Sequence, residues 1–256
     1  MGLAAENGHT EVVRLLLLDG KAAVDRFDQW GWTPLICAAA GGHVGVVKVL
    51  LDANAAVDGR GEGGRTPLIH AALGGHVDVV KVLLDANAAV DVRDKDAWTP
   101  LIFATFRGHV EVVKLLLDAN ASVDVRAKDD WTPLISAALC GHVEVVKLLV
   151  SANASVEVED INGDTPLIRA VKQGYCEIVQ LLIDANADVN RRPRWGKTAL
   201  SCAASEGNVA MVKLLLGANA LVDMKDDVGW DAVRYAAEGG LVEIVNLLLA
   251  NSTNSI

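Results

Sequence analysis

Cysteine and histidine are the residues here best able to do chemistry, and their spacing limits what they can do. Cys37, Cys140, Cys176 and Cys202 form no Cys-x-x-Cys pair, the spacing that small zinc sites and redox motifs use. No disulfide framework follows, and an intracellular, reducing, cytoplasmic setting is expected. His9, His43, His76, His109 and His142 recur at one slot of a repeated pattern. Successive backbones in packed helical units lie about 8–10 Å apart. Zinc needs its donors at about 2 Å from one centre, so the ladder is expected to hold no metal and no cofactor. His70 stands outside the ladder, and Cys37 occupies the equivalent position one unit earlier. The two could form a minimal nucleophile-and-base pair. No third member, oxyanion donor set, Gly-rich phosphate loop, HExxH or GxSxG accompanies them. The reading is non-enzymatic, with no catalytic residue assigned.

These residues sit on elements of unusual regularity. Thr-Pro-Leu begins at Thr33, Thr66, Thr99, Thr132 and Thr165; Thr198-Ala199-Leu200 and Asp231-Ala232-Val233 hold the next two slots. A threonine can cap a helix, and proline at the first helical position gives up no hydrogen bond. The short helix ends near a Gly-His pair. A second amphipathic helix of the type Val-x-Val-Val-Lys-x-Leu-Leu follows. Asn54, Asn87, Asn120, Asn153, Asn186 and Asn219 stand just past it, where a left-handed residue closes helices. Eight units result: 1–27, 28–60, 61–93, 94–126, 127–159, 160–192, 193–225 and 226–256. The first lacks its start and the last is degenerate.

The Thr-Pro-Leu-x-x-Ala-Ala-x-x-Gly-His core, the Val-Val-x-Leu-Leu helix and the 33-residue step together resemble the ankyrin repeat family over essentially the whole chain. The resemblance implies an all-α solenoid of stacked helix pairs with β-hairpin-like loops in one domain. It also implies protein binding through the concave face and loop tips. The chain departs from the family in carrying Ile36, Ile69, Ile102, Ile135 and Ile168 where histidine is usual. Ala97 and Asp130 replace the turn glycine, so strain is expected in those two turns.

Half the residues are apolar, enough for a large core, and the net charge is −10. That charge argues against nucleic acid or an anionic membrane as partner. The uncharged stretch Gln29–Val47 contains Pro34 and several glycines, so it reads as buried helices and not a membrane span. No signal peptide is visible at the N-terminus. A monomer is expected, with end-to-end association open to the terminal units.

Helical rotation puts the fourth and seventh residues after each repeat threonine on the concave groove, and the residue before it at a loop tip. The first of these columns supplies His70 and Phe103, and the second Leu73, Phe106 and Leu139. The tip column supplies Trp32, Arg65, Trp98, Trp131, Lys197 and Trp230. Together with Trp195, these are the candidate partner-binding residues. For Trp32, Trp98 and Trp131 two readings stand, a binding edge or packing over a neighbour's turn. Phe103 and Phe106 break their columns and read as binding. The basic cluster Arg191, Arg192, Arg194 and Lys197 reads first as a solvated turn, second as a seat for an acidic peptide or phosphate. Arg60, Arg93 and Arg126 are expected to pair with Asp58, Asp91 and Asp124.

The functional expectation is a non-catalytic interaction scaffold for a protein partner. The alternatives are a spacer within a larger scaffold, a substrate for asparagine hydroxylation at Asn190, and a Cys-His enzyme.

Overall fold

The computed structural model describes residues 1–19 and 23–252. They form two compact units, Met1–Lys128 and Asp129–Ile256, each of four helix pairs. The first holds α1 (Gly2–Glu6) with α2 (Thr10–Leu18), α3 (Pro34–Ala40) with α4 (Val44–Asp52), α5 (Pro67–Gly74) with α6 (Val77–Asp85), and α7 (Pro100–Arg107) with α8 (Val110–Asp118). The second holds α9 (Pro133–Cys140) with α10 (Val143–Ser151), α11 (Pro166–Gln173) with α12 (Cys176–Asp184), α13 (Ala199–Ser205) with α14 (Val209–Gly217), and α15 (Ala232–Glu238) with α16 (Val242–Ser252). In each unit the odd-numbered inner helices pack in series, and the even-numbered outer helices do the same behind them. The described residues contain no strand, so the fold is the all-helical repeat stack the sequence implies.

Each inner helix from α3 onward starts at its capping residue. Thr33, Thr66, Thr99, Thr132, Thr165 and Thr198 each accept the N–H three residues on, at 3.2–3.4 Å. Asp231 does the same for the last repeat at 2.9 Å. These side chains satisfy one of the donors that a helix start leaves orphaned. The isoleucine that replaces the family's histidine is fully buried at positions 36, 69, 102 and 135. It adds to the core an apolar side chain worth about 1.5–3 kcal/mol of burial. The expected left-handed asparagines are all present, with φ of 60–65° at Asn54, Asn87, Asn120, Asn153, Asn186 and Asn219. Ala97 and Asp130 also adopt the left-handed conformation, at φ 61° and 59°.

The histidine ladder ties neighbouring repeats together. His43 Nε2 meets the Glu6 carbonyl at 2.7 Å, His76 that of Ala40 at 2.9 Å, and His109 that of Leu73 at 3.1 Å. A carbonyl only accepts, so Nε2 carries the proton in each pair. These carbonyls end the preceding inner helix, where no helical donor reaches them.

The loops form a second ladder, and here the expected pairing of Arg60 with Asp58 and of Arg93 with Asp91 is corrected. Asp58 accepts the Ala89 N–H at 3.0 Å, and Asp91 accepts the Ser122 N–H and hydroxyl at 3.0 and 2.7 Å. Arg60 donates to the Arg93 carbonyl at 2.9 Å. The carboxylates cap the next repeat's loop because a fixed backbone N–H costs no side-chain entropy to hold, unlike a mobile arginine. Asn190 has the same post, accepting the Leu221 N–H at 2.8 Å while its amide donates to the Asn219 carbonyl at 3.2 Å.

Candidate functional site

The hairpin that precedes each inner helix folds back over it, and every second hairpin does so with a buried or half-buried aspartate. Asp28, Asp94, Asp160 and Asp226 stand five residues before the repeat's cap. One oxygen of each accepts two backbone N–H groups of its own turn, at 2.8–3.1 Å. The other oxygen faces the inner helix. Its partner is the Cys37 thiol at 3.8 Å, the Arg169 guanidinium at 2.8 Å, or the Tyr235 hydroxyl at 2.5 Å. Each of these occupies the fourth position after the cap. Phe103 holds that position in the fourth repeat and has no donor, so Asp94 takes Arg65 Nε from the preceding repeat at 3.2 Å.

The burial of the fourth-position column corrects the expected groove. Cys37, His70, Phe103, Ser136 and Cys202 are all buried, in repeats with the aspartate and without it. Phe103 is only 6 % exposed. The seventh-position residues Leu73, Phe106 and Leu139 stay half-buried, as do Trp32, Trp98, Trp131 and Trp230 before the caps. The accessible surface therefore runs along these two columns.

In the first unit, Trp98 lies tilted against Phe103 at 5.0 Å between ring centres and meets Phe106 edge-on at 5.7 Å. The Arg65 guanidinium lies 4.8 Å over the Phe103 ring. Asp94 holds it from the side, a cation–π contact reinforced by a charged hydrogen bond. Trp32 crosses to the next repeat and lies against His70 at 4.6 Å. Between them opens a hollow of about 340 Å³, walled chiefly by Trp32, Glu62, Arg65, His70, Asp94 and Lys95. His70 Nε2 is buried and has no hydrogen-bond partner. Burial, and then the nearby Arg65 charge, lower its pKa to about 4. The imidazole is therefore neutral at pH 7.

A larger hollow of about 540 Å³ opens beside the first repeat, among Leu3, Leu16 and Phe27. Val12, in α2, is 47 % exposed, whereas Val46, Val79 and Val112 at the same slot are fully buried.

The second unit presents a polar inner face. Lys172 pairs with Asp164 at 2.7 Å. Lys197 reaches the Ser205 hydroxyl at 2.9 Å and lies 4.2 Å over the Tyr235 ring. Trp230 packs on Tyr235 at 5.2 Å, with Arg234 4.5 Å over it. Trp131 and Leu139 belong to this unit.

The Cys37–His70 pairing does not have the chemistry of a nucleophile and its base. The thiol donates to Asp28. Burial, followed by the negative charges of Asp28 and Glu6, raises its pKa to about 12. A reactive cysteine needs the opposite environment, one that favours thiolate. No group of three metal-binding side chains comes together among the described residues, and none of the described helices is long and apolar enough to cross a membrane.

These aspartates recur only in every second repeat, so the sequence signals them at twice the repeat period and not at the period itself.

The chain matches the family model described as "Ankyrin repeats (3 copies)" in four successive stretches, residues 1–61, 54–127, 122–193 and 192–256. Among solved structures it is similar to the crystal structure of the human ASB11 ankyrin repeat domain. The two are 32 % identical, with a TM-score of 0.77, and the match covers 85 % of this chain and 96 % of that one. A comparison with curated proteins finds no match.

Proposed function

We propose, for a chain that belongs to the ankyrin repeat family, that it is a non-catalytic module holding a protein partner on the inner face of its first unit. Ankyrin repeats are in general protein–protein interaction modules, and this supplies the coarse function. The hollow beside Trp32 carries the finer reading. Its wall combines an aromatic side chain, an arginine fixed by Asp94, and a buried ring nitrogen with no partner. Tryptophan and arginine are the side chains that dominate binding energy at interfaces. The protonated Cys37 thiol supports the non-catalytic part of the reading.

The test uses variants at the rim, since Phe103 is core and its replacement would disturb folding. Proteins captured from source-cell extract by the intact chain are compared with those held by Arg65→Glu and Lys95→Glu variants whose helical circular dichroism is retained. Partners that bind the intact chain and are lost by both variants support the reading. Identical capture by all three chains sinks it and favours a spacer.

A further inference from the structure

The hairpin tips of the second unit carry a feature that the groove does not use. Ile161, Trp195 and Val228 stand at three successive tips and are 50 %, 65 % and 74 % exposed. The tips are locked together. Arg194 Nη1 donates to the Ile161 carbonyl and the Asp227 N–H donates to the Trp195 carbonyl, both at 3.3 Å. Their close approach depends on two glycines. A Cβ on Gly163 would lie 2.6 Å from the Arg194 nitrogen, and one on Gly196 2.9 Å from the Asp226 Cα. The result is an ordered row of apolar side chains facing solvent, a surface type that marks interaction sites.

The charges beside the row are unequal. Arg191 is paired with Glu159 at 2.8 Å and Arg192 with Asp227 at 3.0 Å. Arg194 has only the Ile161 carbonyl and the face of Trp195, 5.6 Å away, with no carboxylate partner among the described residues. One uncompensated guanidinium therefore lies beside the most exposed aromatic ring of the unit. A guanidinium binds a carboxylate through two parallel hydrogen bonds. It is too little charge for a run of phosphates, whose binding grows with the number neutralised, and Ile161 and Val228 offer such a ligand nothing.

We propose that the Ile161–Trp195–Val228 row is a second docking surface, independent of the first unit's groove. It takes a protein segment that sets an acidic side chain against Arg194 and apolar side chains along the row.

The probe is a phage-displayed library of random twelve-residue peptides selected on the whole chain, with binding of the enriched peptides followed by fluorescence anisotropy. Enriched peptides should carry Asp or Glu within three residues of a bulky apolar side chain. Their affinity should fall at least tenfold with Trp195→Ala and with Arg194→Glu, and on changing the peptide's acid to its amide. It should not change with Arg65→Glu. All these side chains are exposed or at a rim, so circular dichroism should stay the same; Val228→Asp is a further check on the row. The proposal is overturned by enriched peptides without an acid, by no enrichment, or by binding indifferent to Trp195 and Arg194. A single-stranded oligonucleotide that outcompetes the peptides would also overturn it. Peptides lost only with Arg65→Glu would defeat this proposal and leave the groove reading standing.

Discussion

His70 is a residue whose surroundings set its chemistry. Its ring is sealed under Trp32 with Arg65 nearby, and its pKa is lowered to about 4 from an ordinary value of 6.5. The unfolded chain therefore takes up a proton as pH falls below about 6.5, while the folded chain resists until about 4. Stability contributed by the neutral buried ring is fully present above 6.5 and is lost across that window, to the extent of roughly 3 kcal/mol. Replacing His70 with Phe should flatten the acid limb of the stability profile between pH 6.5 and 4, measured by denaturant melts at each pH. An unchanged slope would mean that the ring is reached by water. Ala97 allows a separate test. Its left-handed φ of 61° costs a side chain roughly 1–2 kcal/mol, partly offset by the entropy glycine loses on folding. Ala97→Gly should raise stability by up to about 1 kcal/mol, read as a higher denaturation midpoint.

At the scale of the element, the inner helix is held at both ends, by its cap and by the carbonyl that the next repeat's histidine covers. Thr99→Ala should cost about 1 kcal/mol, because the Ile102 N–H it serves is buried and no water replaces the hydroxyl. His76→Ala strips a partner from the Ala40 carbonyl and should cost about 1 kcal/mol as well. Both costs appear as shifted denaturation midpoints with helix content retained. These features are legible in the sequence, since a cap, a proline at the first turn, a left-handed asparagine and an amphipathic helix are local patterns with local causes. The covering of the groove is not. Helical rotation sets Cys37, His70 and Phe103 on the groove side of the inner helix, but nothing local says that they are buried there. The aspartate contacts of alternate repeats are hidden too, since they need a backbone turn and a side chain nine residues on, or Arg65 from the repeat before. The pairing of Asp58 and Asp91 with the next repeat's N–H groups is hidden for the same reason, because it joins residues 31 positions apart.

At the scale of the whole molecule, one repeated plan carries two kinds of surface. The first unit offers aromatic rings around a hollow, and the second a charged, internally paired inner face with an apolar row at its tips. The net charge of −10 sets the molecule as a whole against polyanions, and at physiological salt it should not retard duplex DNA on a native gel. Near-identity at the cap, isoleucine and Val-Val-x-Leu-Leu slots, with variety in the fourth-position, seventh-position and tip columns, is what a stack needs if its fold is fixed by nearest-neighbour packing while its ligand is chosen by loops and groove. The central claim is that the partner sits on the first unit's inner face. Hydrogen–deuterium exchange of the chain with and without a captured partner tests it most directly. Slower exchange in the complex at residues 60–73 and 94–98, with the outer helices unchanged, is the predicted result. Protection confined to the outer helices α4, α6 and α8, with the hollow exchanging as in the free chain, would contradict it.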